Sequence, residues 1–261
     1  MKLEKIVTWL DRTLNVAAFD DVSNNGLQVD RFPAPVQNPK TSKPQTISTV
    51  AFAVDASVRA VKAAAKAGAQ LLVVHHGISW GGGIRRIEGG VYNVVKAAMD
   101  ANLAIYACHL PLDAHPVLGN NAQLAKLLGL KRVKPAFSYH GNVIGLVGKC
   151  SNVRMLELAK RLGLEISDSN IQAFKHSNID LVGVCSGGAG EFAEEAKRLG
   201  CDLYLTGEAS WGDVIAAENC GMEMICAGHY ETEVFGVRAV AEKMGKALKV
   251  KTVDLSQNGR I

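Results

Sequence analysis

The 261-residue sequence lacks the short motifs that mark several common classes of enzyme. It has no G-x-x-x-x-G-K-[ST] phosphate-binding loop, no G-x-S-x-G nucleophile motif and no C-x-x-C pair among its six cysteines. No apolar run approaches the roughly 20 residues that a membrane-spanning helix needs. These absences argue against a P-loop enzyme, a serine hydrolase and a disulfide-rich protein. They predict a cytoplasmic protein with reduced thiols and no membrane contact.

A large net charge of either sign is also missing. The formal net charge of +4 permits an anionic substrate but is far below that of a dedicated nucleic-acid-binding protein. Apolar residues make up 48% of the chain and charged residues 21%, which is typical of a globular protein with a substantial core. This net charge does not exclude a nucleic-acid partner, which stays an open alternative.

The chain does contain a regular alternation of strand-like and helix-like segments. The predicted strands are 47–54, 70–74, 103–108, 143–149, 180–185, 202–206, 222–227 and 249–255. Strands separated by helices of this length are typical of βαβ units, in which neighbouring strands run parallel. We therefore predict an α/β fold made of two interleaved three-layer domains, with largely parallel sheets and helices on both faces.

Two segments interrupt this alternation. Residues 30–46 carry four of the seven prolines and predict an exposed loop. Residues 131–142, rich in basic residues, predict a break between domains. Because the candidate site segments flank the middle of the chain, we expect one domain from 1–130 plus 220–261 and an inserted domain at 131–219.

Five of the seven histidines lie at or just beyond the ends of apolar strand-like runs. These five are His75, His76, His109, His115 and His229, and carboxylates lie four positions after two of them, Asp113 after His109 and Glu233 after His229. Ligands bind beyond the carboxyl ends of strands in open α/β sheets, and imidazole and carboxylate suit zinc, iron, nickel and manganese. The pattern predicts a metal centre, and these donors exceed one tetrahedral set, which indicates two metals.

The spacing leaves alternatives open at each cluster. A histidine at a strand end can be structural, and only one of two adjacent histidines on a straight strand faces a shared site. Pro111 disfavours a regular helix between His109 and Asp113, which places both on one loop. His229 and Glu233 straddle the entry to the last long helix, so Glu233 could instead complement its N-terminus.

Several short segments together resemble a known family. They are Asn-Asn-Gly-Leu-Gln-Val at 24–29, Val-His-His-Gly at 74–77, the segment 109–115, Thr-Gly-Glu at 206–208 and the segment 228–233. These motifs resemble those of the type 2 homologues of GTP cyclohydrolase I, also called Ngg-interacting-factor-three-like proteins. The resemblance runs from the N-terminal helix to residue 246. The chain departs from many relatives at Gly77, where they have proline, and around Gly212, where they have histidine.

The resemblance implies a dinuclear site for divalent zinc, iron, manganese or nickel. Carried onto this sequence, its metal ligands are His75, His76, Asp113, His229 and Glu233, with Glu233 bridging the ions. It also implies a ring-shaped homohexamer whose interior faces the metals.

The predicted function is that of a metal-dependent hydrolase acting on a nucleotide-like substrate, and the family name points to the guanine ring of GTP. His109 and Glu208 are the candidate catalytic residues, because each ends a strand at the ligand edge and could carry a proton. Glu208 could instead cap the helix predicted at 211–219. The alternative function, from a different class, is a non-catalytic metal-binding assembly or regulatory protein that binds a partner or nucleic acid.

Three weaker signals accompany the clusters. Trp80 and Trp211 lie beside site segments and could either stack on a planar ligand or serve packing. Arg85 and Arg86 could contact phosphates or simply face solvent. The glycine-rich segment 184–190 lacks the spacing of a dinucleotide-binding loop and predicts a tight structural turn.

Overall fold

The computed structural model describes residues 1–31, 46–164, 171–172 and 178–258. The described helices are α1 (Leu3–Leu14), α2 (Val58–Lys66), α3 (Gly89–Asp100), α4 (Leu110–Ala114), α5 (Asn120–Leu128), α6 (Met155–Arg161), α7 (Ala193–Arg198), α8 (Trp211–Cys220) and α9 (His229–Leu248). The strands are β1 (Gly26–Val29), β2 (Thr49–Asp55), β3 (Leu71–His76), β4 (Ala104–Ala107), β5 (Lys131–Tyr139), β6 (Asn142–Arg154), β7 (Ile171–Gln172), β8 (Asn178–Cys185), β9 (Leu203–Thr206), β10 (Glu223–Cys226) and β11 (Lys251–Asp254). Most of the predicted loop at 30–46 lies outside the described residues.

The chain divides into two compact units, with the second inserted in the sequence of the first. Unit 1 comprises Met1–Leu112 and Val237–Ile261, and unit 2 comprises Asp113–Gly236. These limits differ from the predicted 1–130 plus 220–261 and 131–219 because β10 pairs with β9 in the sheet of unit 2 and α5 packs against β6 and β8. The segment 131–142 is not a break, since it forms β5 and the start of β6, joined by a turn at 140–141.

Unit 1 has a five-stranded sheet with the order β1-β4-β3-β2-β11. The strands from β4 to β11 pair in parallel, and β1 joins the edge antiparallel to β4. Both faces of β2 are buried. Ala51 and Ala53 pack on one face with residues of α2 and α3. Tyr106, fully buried in β4, donates a hydrogen bond to Asp11 of α1. The predicted α/β architecture is therefore confirmed for this unit, whereas β1 was not predicted as a strand.

The helices of unit 1 follow from their sequences. Ile6, Leu10 and Leu14 recur every four residues and form the buried stripe of α1. Ser57 caps α2, because its hydroxyl accepts a hydrogen bond from the backbone N–H of Ala60. Among the described residues, no helix combines the length and apolar character needed to cross a membrane.

Unit 2 has a six-stranded sheet with the order β5-β6-β8-β9-β10-β7. Strands β8, β9 and β10 are parallel, whereas the other neighbours pair antiparallel. This sheet is therefore mixed rather than largely parallel, because a hairpin supplies its first two strands. Its apolar core joins the sheet to α5 and α6 through residues that include Leu124, Leu128, Leu158, Val182, Val184, Leu203, Leu205 and Ile225.

Candidate metal-binding site

Three histidines of unit 1 converge at one edge of its sheet. His75 and His76 end β3, and His109 lies just beyond the neighbouring parallel strand β4. Ring centroids are 4.6 Å apart for His75 and His76, and 5.1 Å apart for His75 and His109. One ring nitrogen from each histidine lies within 4.8 Å of the others, close enough to share a metal ion. We call these three residues the histidine cluster.

In each ring of the histidine cluster, Nδ1 lies 2.9 Å from an oxygen that accepts a hydrogen bond. The pairs are His75 with the Cys108 carbonyl, His76 with Asp55 Oδ1, and His109 with Asp21 Oδ1. A carbonyl or carboxylate oxygen cannot donate, so Nδ1 carries a proton, and in the neutral ring Nε2 carries the lone pair. This tautomer, oriented by a partner on the second nitrogen, is the form in which histidine binds metals.

The side chain of Asp21, which is 2% exposed, accepts the hydrogen bonds that position His109. Its Oδ1 accepts from His109 Nδ1 and from the Ser23 N–H at 3.0 Å. Its Oδ2 accepts from Asn25 Nδ2 at 2.8 Å and from the Leu110 N–H at 2.9 Å. Burial raises the pKa of Asp21, but its hydrogen bond to His109, the charge of His109 and the remaining donors outweigh burial and lower this pKa to about 2. The sequence analysis missed Asp21, whose only local signal is its place before the 24–29 motif.

Gly77 follows the histidine pair where the backbone has no room for a side chain. A Cβ there would lie 2.2 Å from Gln28 Oε1 and 2.6 Å from the Ala107 Cβ. The same Gln28 oxygen accepts hydrogen bonds from the backbone N–H groups of Ile78 and Ser79, at 2.7 Å and 3.2 Å. This chain has glycine where many relatives have proline, and Gln28 of β1 occupies the space that a side chain at position 77 would need.

In unit 2, two carboxylates come together in the interior. Asp113 and Glu233 are 6% and 2% exposed, and each offers an oxygen within 4.8 Å of one from the other. Asp113 Oδ1 accepts from Asn120 Nδ2 at 2.8 Å and from Ser186 Oγ at 3.0 Å. Because Asn120 Oδ1 also accepts from the Gly236 N–H, at 2.6 Å, one amide fixes Asp113 relative to α9.

The short helix α4 contradicts the loop predicted between His109 and Asp113. Pro111 lies in the first turn of α4, where a backbone N–H has no partner within the helix. The proline therefore helps to start this helix instead of preventing it.

His229 and Glu233 share one face of α9, which begins at His229, so both lie within this helix instead of straddling its entry. His229 Nε2 lies 3.2 Å from Glu233 Oε1, and its Nδ1 lies 2.9 Å from Glu208 Oε1. The hydrogen bond with Glu233 raises the pKa of His229 to about 9, against burial, with further contributions from the charge of Glu233 and from Glu208. The geometry thus favours positive charge between His229 and Glu233, which a divalent cation would also supply.

Glu208 does not cap α8. Ser210 and Asp213 form a reciprocal capping box at that helix, with the Ser210 side chain accepting from the Asp213 N–H. Glu208 instead contacts His229, and the N-cap is Ser210, so the capping alternative is wrong.

The glycine-rich turn after β8 supports the carboxylates of unit 2. Gly187 has a φ of +69°, and a Cβ there would lie 2.5 Å from Glu233 Oε1 and 3.4 Å from His229 Nε2. Its neighbour Ser186 donates to Asp113. The segment is a tight structural turn, as predicted. No local sequence motif indicates that this turn contacts Glu233 and Asp113.

The donors present fit a divalent transition metal. Unit 1 offers three imidazoles, and unit 2 offers two buried carboxylates with a further imidazole. Mixed nitrogen and oxygen donors suit zinc, iron, manganese and nickel, and carboxylates of low exposure are expected to be paired or to coordinate a cation. The geometry defines an α/β protein with residue groups able to bind metal.

The chain belongs to the family described as Duf34/NIF3 (NGG1p interacting factor 3), whose model matches residues 1–259. A GTP cyclohydrolase 1 type 2 homolog from Pyrococcus horikoshii is 39% identical over 256 residues, which cover 97% of each protein. One from Deinococcus radiodurans is 40% identical over 252 residues, covering 92% of this chain and 88% of the relative. The resemblance predicted from the short motifs is therefore confirmed.

Solved structures show the same relationship. A structure described as protein ybgI, of unknown function, has a TM-score of 0.82 and 32% identity, with 98% of each chain covered. Reduced HcgD from Methanocaldococcus jannaschii has a TM-score of 0.77 and 26% identity, also with 98% of each chain covered. The fold similarity extends over nearly the whole chain.

Proposed function

We propose that this protein is a metal-dependent hydrolase that acts on a nucleotide-like substrate. The observation that carries the proposal is the orientation of the imidazoles, since an oxygen acceptor holds Nδ1 of every histidine in the cluster. Following the family motifs, we assign about two divalent ions per chain to the ligands His75, His76, Asp113, His229 and Glu233.

The chemistry divides between the metals and the side chains around them. Two divalent ions, when bound, supply a Lewis acid and lower the pKa of water. His109 presents Nε2 as a proton acceptor, because Asp21 holds its Nδ1 proton. Glu208 is the second proposed proton carrier, and its contact with His229 gives it a role in positioning that ligand as well.

The substrate class rests on the relatives and on charge. Proteins that are 39% and 40% identical carry the name GTP cyclohydrolase 1 type 2 homolog, which makes GTP the first nucleotide to test. The formal net charge of +4 suits an anionic substrate of this kind.

Elemental analysis of Glu233→Ala tests the metal assignment. A carboxylate that bridges the ions is needed by both, so we expect wild type to hold close to two ions per chain and Glu233→Ala to lose both. Glu242→Ala is the matched control, because Glu242 lies on the same helix and pairs with Lys246 at the surface. Full retention of metal by Glu233→Ala would falsify the ligand assignment.

Turnover assays with added manganese, zinc or iron test the hydrolase. We expect His109→Ala and Glu208→Ala each to lower kcat by about 10²-fold, the usual share of general acid–base catalysis. His109→Ala should bind as much metal per chain as the wild-type protein. If both variants keep wild-type turnover, neither residue carries a proton. If wild type shows no metal-dependent turnover of any nucleotide, the assembly or regulatory function replaces the hydrolase.

A further inference from the structure

An exposed tryptophan stands beside the histidine cluster. The Trp80 ring lies edge-on to His109, with centroids 5.2 Å apart and planes at 75°, and its centroid is 6.0 Å from that of His76. Trp80 nevertheless remains 38% exposed. More than a third of the residue is therefore accessible to a ligand, beside two imidazoles of the histidine cluster.

The main chain and the ring nitrogen hold Trp80 in place. The indole Nε1–H donates to the Gly77 carbonyl at 3.0 Å. The backbone of Trp80 forms an isolated β-bridge with Ser23, and the next residue, Gly81, donates to the Val22 carbonyl at 2.6 Å. An aromatic ring fixed in this way loses little conformational entropy when a planar ligand stacks on it.

Positive charge follows in the same loop. The Arg85 guanidinium folds back beside Gly82, with Nη2 3.7 Å from the position that a Cβ on Gly82 would occupy. Arg86 is highly exposed, and its Nη1 lies 3.9 Å from Glu88 Oε1. A planar base over Trp80 and an anionic group near these guanidinium groups are the two parts of a nucleotide.

From these contacts we infer that Trp80 is the stacking platform for the base of the substrate, and that loop 80–86 binds the nucleotide through base and phosphate together. The inference rests on the proposed function and deepens it, because it names the group that places the base next to His76 and His109. Stacking accepts any base, so this subsite selects nucleotides over simple phosphates without choosing between purines.

Titration of the metal-loaded protein with GTP and with inorganic triphosphate, read before turnover depletes the nucleotide, tests the subsite. Trp80→Leu should weaken GTP binding about tenfold or more, while triphosphate affinity and metal content stay at the wild-type level. Trp80→Phe, which keeps an aromatic face, should restore most of the GTP affinity. Trp211→Leu is the matched control, because it removes an exposed tryptophan ring in unit 2.

A spectroscopic measurement covers the case in which Trp80→Leu folds poorly. The chain has three tryptophans, so the double variant Trp9→Phe, Trp211→Phe keeps Trp80 as its sole indole fluorophore. GTP should quench its fluorescence, and triphosphate should not. Wild-type GTP affinity in folded Trp80→Leu, or no quenching by bound GTP, overturns the inference. Absence of metal from the wild-type protein would instead overturn the proposed function, so the two failures are distinct.

Discussion

At the scale of single residues, the candidate site depends on hydrogen bonds that orient the histidines. Each ring of the cluster has an oxygen acceptor on Nδ1, and His109 has the most elaborate support. Asp21 accepts four hydrogen bonds, and Asn25 Oδ1 accepts from the backbone N–H of His109 at 2.8 Å. Asp21 is therefore a positioning residue that acts through His109.

Replacing Asp21 with asparagine should change the tautomer of His109. An amide exchanges one acceptor oxygen for an N–H donor, and an N–H facing Nδ1 moves the ring proton to Nε2. We expect nitrogen NMR of the imidazoles to report an Nδ1–H tautomer in wild type and an Nε2–H tautomer in Asp21→Asn, with kcat about 10²-fold lower.

The neighbouring exposed carboxylate provides a control for Asp21. Asp20→Asn makes the same chemical change one residue earlier and should leave both the His109 signal and kcat unchanged. If Asp21→Asn lowers kcat while His109 keeps its Nδ1 proton, the effect of Asp21 is structural and the positioning role is wrong.

At the scale of elements, the carboxylate half of the site is held by a turn and two helices. The turn after β8 contacts Glu233 through Gly187 and Asp113 through Ser186. Asn120, at the start of α5, joins Asp113 to α9. Because three separate elements converge on two carboxylates, a small change in the turn should alter metal affinity more than stability.

We expect Gly187→Ala to weaken metal binding by about 10- to 100-fold, the range seen when groups that support ligands are altered. The new Cβ would meet Glu233 Oε1 at 2.5 Å, so the carboxylate must move. Chelator competition measures the affinity, and thermal unfolding measures the accompanying loss of stability.

Gly200→Ala separates contact from backbone strain. Gly200 has a φ of +81°, close to the +69° of Gly187, and an added Cβ there meets nothing within 4 Å. Both variants should lose roughly 1 kcal/mol of folding free energy. Only Gly187→Ala should lose metal affinity, and equal metal affinities would contradict the proposed role of the turn.

At the scale of the whole molecule, assembly remains a prediction from the family resemblance. The apolar N-terminal helix and the glycine-rich loop 81–90, with Trp80 and Ile84, are the surfaces that the sequence offers for contacts beyond one chain. The structure buries Ile6, Leu10 and Leu14 within unit 1, so the apolar stripe of α1 is already used. Ile87, beyond the proposed nucleotide-binding loop 80–86, remains exposed and is the better candidate for a contact with another copy.

Light scattering should give a mass near six times the 27.8 kDa of one chain if the protein forms the implied homohexamer. A charge in an apolar interface is costly, so Ile87→Glu should shift this mass toward the monomer. Val117→Glu, which changes an exposed apolar residue of unit 2, should not. A wild-type monomer at micromolar concentration would rule out the assembly.

The sequence by itself was enough to place the histidines at the ends of strands and to predict an α/β fold. Apolar runs separated by amphipathic helices specify parallel strands, and the carboxyl ends of such strands meet at one edge. For this reason the strand pattern alone groups His75, His76 and His109. The same pattern placed Asp113, His229 and Glu233 near strand ends, and the family motifs proposed them as ligands.

The tertiary structure decided which loops support those residues. Asp21 reaches His109 across 88 positions of sequence only because β1 joins the sheet edge beside β4. Gly187 meets Glu233 because the turn after β8 packs against the start of α9, a contact that no local spacing specifies. Local patterns fix the direction and face of an element, whereas the order of strands and the closeness of turns depend on long-range packing that the sequence does not display.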